Sequence, residues 1–304
     1  MSVPTRPASV VVLGGSGLVG SRFVELTRER FGSLQAPPHA ALDVLDQEAL
    51  RTFLRANTPD VLLNLSACAD VDRAEAERGD TDGTVYDINA VLPGRLAALC
   101  GESGTYLVHV STDYVFDGQR DDRPYLEADE PRPLSWYAQT KHLGEQGVLA
   151  SGAAASVIRI EMPYSPRPHH KLDFARLCVS RLRTGNDVIA VVDQRITPVF
   201  LDDAVEALAR VAERRPEGIL HVAAASWTTP YEFARAVAAA LNLNTRLITQ
   251  ERFDRFVTFR PAPRPQHSWL DIGKFERELG PGVLRPVDEA VCAWATQVLK
   301  RSRA

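Results

Sequence analysis

Cysteine, long apolar runs and excess positive charge are all scarce in this sequence. Its 304 residues include four cysteines, none in a Cys-x-x-Cys pair, so neither a disulfide framework nor a cysteine zinc site is expected. No apolar run approaches the ~18 residues of a membrane span, and residues 1–9 carry no apolar signal-peptide core. A net charge of -4 argues against a nucleic-acid surface. We therefore expect a cytoplasmic protein without membrane or nucleic-acid partners.

Glycine is abundant near the N-terminus, directly after a short β-branched run at Ser9–Leu13. Such a run is typical of a buried parallel strand. A glycine-rich turn between a strand and a helix permits close approach of a dinucleotide pyrophosphate to the helix N-terminus. The alternative is a plain glycine-rich turn. The residues predicted to bind a cofactor here are Gly14, Ser16, Gly17, Leu18, Val19 and Gly20.

The next segments hold the residues expected to contact a bound dinucleotide beyond its pyrophosphate. Residues 32–42 should hold the second strand, yet they contain neither the acidic residue that favours NAD nor the arginine that favours NADP. After them, Asp43 could accept a hydrogen bond from an adenine amino group beside Val44, or simply form a turn before an N-cap at Asp46. A third strand ends in the small residues Ser66 and Ala67, against which a cofactor could lie.

The stretch from Ser111 to Lys141 carries the candidate chemistry. If a helix begins just before Tyr137, then Tyr137 and Lys141 stand four residues apart on one face. An ammonium beside a phenol lowers the phenol pKa. Thr112, at the end of the preceding strand, could hydrogen-bond the substrate oxygen with which Tyr137 exchanges a proton, which predicts a carbonyl/alcohol acid–base site. The alternatives are a solvated Tyr–Lys pair and a capping hydroxyl.

Strands and helices alternate from Ser9 to Ile160. The alternation predicts an α/β fold in which a doubly wound parallel sheet of the Rossmann type has helices on both faces. We expect this domain to span 1–160 and a smaller C-terminal, mainly substrate-binding lobe to span 161–304, with about 186–223 returning to the core. Gly14, Ser66 and Thr112 each follow a predicted strand, so they should meet at the edge where such sheets bind ligands.

Several motifs together resemble the extended short-chain dehydrogenase/reductases, and among them the dTDP-4-dehydrorhamnose reductase group. The methionine adenosyltransferase β subunit, which is not catalytic, is similar to the same group. The motifs that carry the resemblance are Gly14–Gly20, Val71–Glu75, Ser111–Gly118, Pro133–Lys141, Asp193–Gln194 and Arg264–Asp271.

The resemblance implies reduction of the 4-keto group of a nucleotide-activated deoxysugar by NADPH or NADH, with NADPH slightly favoured. It implies that Tyr137 gives a proton to the oxygen, that Lys141 lowers the tyrosine pKa and holds the nicotinamide ribose, and that Thr112 orients the carbonyl. Asp113 and Tyr114 would then contact the substrate. A homodimer is also expected from the family.

Departures from the group's pattern leave the sugar open. Met162 stands where the reductases typically carry a tryptophan that packs against the sugar. Related dehydratases carry Asp-Glu after the catalytic threonine, where this chain has Asp113 and Tyr114, so dehydration is not expected. Arg195 and Arg264 are candidates for the nucleotide diphosphate, because an arginine fork fits phosphate oxygens; the alternative is two surface arginines.

Two other functions remain open on the same scaffold. A regulatory subunit would bind the cofactor without turnover, and a nucleotide-sugar epimerase would retain its cofactor through purification. The adjacent His169 and His170 have no partner at metal-ligand spacing, so a loop surface is favoured over a metal site.

Overall fold

The computed structural model describes residues 9–170 and 172–301. The predictions made for residues 1–8, including the absence of a signal-peptide core, lie outside the described residues. The strands are β1 (Ser9–Leu13), β2 (Ser33–Gln35), β3 (Val61–Asn64), β4 (Tyr106–Thr112), β5 (Ala155–Ile160), β6 (Val188–Val191), β7 (Gly218–Val222) and β8 (Ile248–Glu251).

The helices alternate with these strands through the first half of the chain. A π-helical segment, Asp87–Val91, joins two of them. The α-helices are α1 (Leu18–Thr27), α2 (Gln47–Asn57), α3 (Val71–Glu75), α4 (Thr84–Tyr86), α5 (Leu92–Ser103), α6 (Trp136–Ala150), α7 (Phe174–Arg183), α8 (Leu201–Arg214), α9 (Pro230–Ala240), α10 (Phe253–Val257), α11 (Gly273–Leu279) and α12 (Val287–Arg301).

Six parallel strands form the main sheet in the order β2-β1-β3-β4-β5-β7. The register places Leu13 opposite Asn64 and Thr112 opposite Ile160, so these strands end at a common edge. β3 and β5 are buried along their whole length, as expected for strands covered on both faces. The predicted doubly wound parallel sheet is confirmed.

Separate apolar clusters cover the two faces of this sheet. On one face, Phe23 of α1 and Leu208 of α8 belong to a buried cluster with Phe275 of α11. On the other face, Leu50 of α2 and Leu96 of α5 pack against residues from the same strands. The sheet is therefore a rigid support whose carboxyl edge is left for a site.

A smaller lobe has its own core and its own two-stranded parallel sheet, β6 with β8. Trp294 of α12 and Phe233 of α9 lie at its centre. Of the 186–223 segment predicted to return to the main core, β7 does join the main sheet, but β6 does not. That part of the prediction was wrong because β6 finds its strand partner only 60 residues later in the chain, at Val188 opposite Ile248. None of the described helices is both long and apolar enough to cross a bilayer.

Candidate functional site

A cavity of about 590 Å³ opens at the carboxyl edge of the main sheet, between the glycine turn and the smaller lobe. It brings together residues that are far apart in the sequence. The predicted site residues that line it are Gly17, Leu18, Val19, Gly20, Ala67, Thr112, Asp113, Tyr114, Tyr137, Lys141 and Met162.

The glycine turn forms one wall of this cavity. Gly17 occupies the N-cap position of α1 and has no side chain to cap the helix. The first backbone N–H groups of the helix therefore remain available to an anion, and the helix dipole favours negative charge there. Gly14 has φ of +76°, and a Cβ built on Gly20 would lie 2.2 Å from the Gly14 carbonyl oxygen. The turn thus has the compact form that close approach of a phosphate requires.

The end of β4 supplies the second wall. Thr112 accepts a hydrogen bond from the backbone N–H of Tyr114 at 3.2 Å, and its hydroxyl donates to Asp113 Oδ1 at 3.0 Å. The capping role is therefore present, but it leaves Thr112 on the cavity wall. The predicted hydroxyl at the strand end is in place.

Helix α6 supplies the third wall. Ser135 caps it by accepting from the backbone N–H of Ala138 at 3.2 Å, so the helix begins at Trp136, just before Tyr137 as predicted. Tyr137 and Lys141 are 9% and 1% exposed. The alternative of a solvated Tyr–Lys pair is therefore wrong.

The electrostatic relation of these two residues differs from the one predicted. Burial raises the pKa of Tyr137, with the Thr112 hydroxyl acting in the opposite direction. Lys141 Nζ donates to the backbone carbonyl of Val110 at 2.7 Å, and burial lowers the pKa of Lys141 to about 8. The expected lowering of the tyrosine pKa was wrong for this arrangement, because burial of the phenol raises its pKa.

Five other residues predicted to bind the cofactor do not line the cavity: Gly14, Ser16, Asp43, Val44 and Ser66. Gly14 is a structural part of the turn, since a Cβ there would lie 2.7 Å from the Leu65 carbonyl carbon. The turn alternative holds for Asp43, which accepts from the backbone N–H of Leu45 at 3.0 Å. Asp46, in turn, caps α2.

The two arginines proposed for a diphosphate are engaged elsewhere. Arg264 donates twice to Asp72, at 3.0 and 2.8 Å, and its side chain is only 14% exposed. Arg195 stacks its guanidinium on Trp227 and Trp269, at 5.2 and 4.9 Å from the ring centroids. Neither arginine lines the cavity, although Arg264 interacts with Tyr114, which does.

The Asp72–Arg264 pair predicts a pH-dependent stability. The hydrogen bond from Arg264 holds the pKa of Asp72 below its usual value. Stability from the pair is therefore present above the unfolded-state pKa and is lost as the pH falls through the folded-state pKa. We expect Asp72→Asn to reduce the free energy of unfolding by about 1 kcal/mol at neutral pH, because the pair is partly exposed, and by much less at about pH 2, where Asp72 becomes protonated.

Urea unfolding of both proteins at the two pH values measures this difference. Glu130→Gln is the matched control, because Glu130 pairs with Arg132 at a site where both side chains are largely exposed. We expect the control to leave stability unchanged at both pH values. An Asp72→Asn deficit of equal size at both pH values would contradict the ion-pair explanation.

Sequence reasoning missed the part of the cavity that the smaller lobe supplies. Tyr164 and Phe233 line it although neither lies in a recognised motif. His169, interpreted as loop surface, also lines it and donates from Nε2 to the carbonyl of Ser16 at 3.2 Å. No local signal marked these residues, because only the packing of the lobe against the glycine turn brings them to the cavity.

A parallel doubly wound sheet with a glycine turn and a Thr–Tyr–Lys set at its carboxyl edge defines a short-chain dehydrogenase/reductase architecture. The model of the RmlD substrate binding domain family matches residues 8–299, and the chain belongs to that family. The resemblance found in the sequence is thereby confirmed.

Individual relatives agree with this assignment. A dTDP-4-dehydrorhamnose reductase of Mycolicibacterium smegmatis is 35% identical over 263 residues, covering 86% of this chain and 77% of that protein. The methionine adenosyltransferase 2 subunit β of Mus musculus is 28% identical over 322 residues, covering 100% of this chain and 92% of the subunit. The crystal structure of a dTDP-4-dehydrorhamnose reductase from Clostridium acetobutylicum superposes with a TM-score of 0.86 at 25% identity, covering 95% and 99% of the two chains.

Proposed function

We propose that this protein is an NAD(P)H-dependent oxidoreductase that reduces the 4-keto group of a nucleotide-activated deoxysugar, with dTDP as the favoured nucleotide. One observation carries the proposal. A single cavity is lined by the uncapped N-terminus of α1, by the Thr112–Tyr137–Lys141 set and by residues of the smaller lobe. A phosphate-bearing cofactor and a second molecule can therefore meet at one acid–base group.

The residues present fit a dinucleotide. The glycine turn leaves no room for a Cβ at Gly20, and the first turn of α1 after Gly17 presents uncapped N–H groups, which suits a pyrophosphate. Ala67 forms a small-residue wall beside it. A bound nicotinamide would supply the hydride, and Lys141, at the bottom of the cavity wall, would hold the ribose. Residues 32–42 lack a charged residue that would select between NADH and NADPH, so both cofactors are proposed, with NADPH slightly favoured by the family resemblance.

In this proposal Tyr137 is the proton donor. Reduction adds a hydride to the carbonyl carbon and a proton to the oxygen, so the donor must be protonated at the working pH. The raised pKa of the buried Tyr137 phenol keeps it protonated. Thr112 would orient the same oxygen with its hydroxyl, and Asp113, Tyr114 and Met162 would contact the sugar. The smaller lobe would close the cavity over the substrate.

A second candidate is a regulatory subunit that binds cofactor without turnover. It is favoured by the similarity to the methionine adenosyltransferase 2 subunit β across the whole chain. The intact Thr112, Tyr137 and Lys141, which line the same cavity, favour the reductase instead, because a protein without turnover has no need of a buried proton donor.

The test is a spectrophotometric assay of purified protein with a dTDP-4-keto-6-deoxyhexose and either NADPH or NADH. We expect loss of reduced-nicotinamide absorbance with at least one cofactor. One 4-hydroxy sugar should form for each reduced cofactor consumed. Tight cofactor binding with no consumption would contradict the reductase for this sugar and support the regulatory subunit. Oxidised cofactor that remains bound after purification and is needed for isomerisation would indicate an epimerase.

A further inference from the structure

Two buried carboxyl side chains lie at the sheet edge, one of which, Asp113, lines the cavity. Asp113 follows Thr112, the last residue of β4, and Glu161 follows Ile160, the last residue of β5. Thr112 and Ile160 are opposite each other in the sheet, and neighbouring strands lie only about 4.8 Å apart. Asp113 is 3% exposed and Glu161 is fully buried. The two carboxyls are therefore close neighbours in a dry environment.

The two carboxyls have very unequal supplies of hydrogen-bond donors. Glu161 Oε2 accepts from the backbone N–H of Thr197 at 2.9 Å and also from the Thr197 hydroxyl, and Oε1 accepts from the Ser268 hydroxyl at 2.9 Å. Asp113 Oδ1 accepts from Thr112, and the Ser268 hydroxyl that donates to Glu161 also acts on the Asp113 carboxyl, whereas Asp113 Oδ2 is buried and makes no hydrogen bond within the described ranges. A buried carboxylate oxygen needs donors, so Asp113 Oδ2 is the site best suited to carry a proton.

The charges around the pair oppose ionisation of both carboxyls at once. Burial raises the pKa of both groups, that of Asp113 to about 7, and the neighbouring Asp113 raises that of Glu161 further. The groups that face them, Tyr114 and Tyr137, have raised pKa values and are neutral. The guanidinium of Arg264, which acts on Tyr114, is held by its own ion pair. Two adjacent buried carboxyls without a cation cannot both ionise near neutral pH.

We propose that Asp113 and Glu161 share one proton near neutral pH, that it resides on Asp113, and that Glu161 is a positioning residue that keeps the wall beside Thr112 uncharged. Negative charge develops on the substrate oxygen during reduction, and a carboxylate at Asp113 would oppose it. A neutral Asp113 is also a weaker acceptor, so the Thr112 hydroxyl can turn to the substrate. This catalytic consequence rests on the proposed reductase function; the shared proton does not.

Glu161→Gln tests the proposal with little change in shape. The amide oxygen can accept both donors of Thr197, and the amide nitrogen can donate to Ser268. The substitution removes the charge that holds the proton on Asp113, so Asp113 ionises at lower pH. We expect the alkaline limb of the kcat–pH profile to move down by about one pH unit, with the KM for the cofactor unchanged.

The matched control is Asp203→Asn, which neutralises another buried carboxyl on α8, where Asp203 pairs with Arg285 away from the cavity. We expect this control to leave the alkaline limb in place whatever it does to stability. An alkaline limb that stays at the wild-type position in Glu161→Gln, or that moves equally in the control, overturns the proposal.

A readout without turnover separates this proposal from the reductase function. Infrared difference spectra recorded below and above about pH 7 should show a protonated carboxylic acid C=O band that disappears on raising the pH. The band should be absent in Asp113→Asn and should titrate at lower pH in Glu161→Gln. A wild-type protein with this band but no NAD(P)H consumption would retain the shared proton and lose the reductase assignment. Full turnover without the band overturns the shared proton.

Discussion

Tyr137→Phe should reduce kcat for the keto-sugar by about 10²- to 10⁴-fold, which is the range that a general acid contributes. The reason is that the substitution removes only the phenol hydroxyl. The ring keeps its buried position and its edge-to-face packing on Tyr114, with 6.2 Å between the ring centroids. We expect the KM for the cofactor and for the sugar to change little. Initial rates at saturating cofactor, measured against sugar concentration, separate the two parameters.

Tyr231→Phe is the matched control for this prediction. It makes the same chemical change on α9, at a residue that does not line the cavity. We expect wild-type kcat from the control. A Tyr137→Phe protein that retains most of its kcat would remove Tyr137 as proton donor and shift attention to Thr112 or to a water.

Gly20→Ala should have the second large effect, on cofactor binding and on stability. The added methyl would lie 2.2 Å from the carbonyl oxygen of Gly14 and 2.9 Å from the Cα of Gly15. Both neighbours are backbone, so the turn itself must move. Overpacking of this kind costs about 1–3 kcal/mol, which exceeds the gain of about 1 kcal/mol that alanine brings to a helix. We expect a lower free energy of unfolding and cofactor affinity weakened about tenfold or more.

Gly101→Ala on α5 is the matched control, because its added methyl meets only Ala153 Cβ at 3.6 Å, an ordinary contact. We expect it to stabilise the protein by about 0.5–1 kcal/mol, as helix propensity predicts, and to leave cofactor affinity unchanged. Denaturant unfolding and cofactor titration by fluorescence measure both quantities. Unchanged cofactor affinity in Gly20→Ala would contradict the role of the glycine turn as the pyrophosphate site.

Sequence patterns predicted the helices and strands of the site well where residues close in the sequence determine them. The bounds of β1, the cap at Asp46 and the start of α6 just before Tyr137 agree with the structure, because apolar runs and capping residues act within a few residues. β8 and α12 were not predicted, since their apolar faces are explained only by the core of the smaller lobe.

Long-range pairing accounts for the site features that sequence reasoning got wrong or missed. The i, i+4 spacing of Tyr137 and Lys141 put both on one helix face, but the carbonyl of Val110 determines where the ammonium points. Likewise, nothing near Arg264 in the sequence indicates that it pairs with Asp72, a residue of α3. Ion pairs and buried hydrogen bonds of this kind depend on which strand ends and loops become neighbours in space.

The sequence by itself determined the fold class, the glycine turn and the Thr112, Tyr137 and Lys141 set, because each depends on short-range geometry: strand alternation, positive φ at Gly14 and helical spacing. Tertiary structure alone decided the protonation of the site. Burial raises the pKa of Tyr137 and brings Asp113 beside Glu161, 48 positions later in the chain. The physical reason is that desolvation and charge–charge interaction depend on the surroundings in three dimensions, which residue order does not specify.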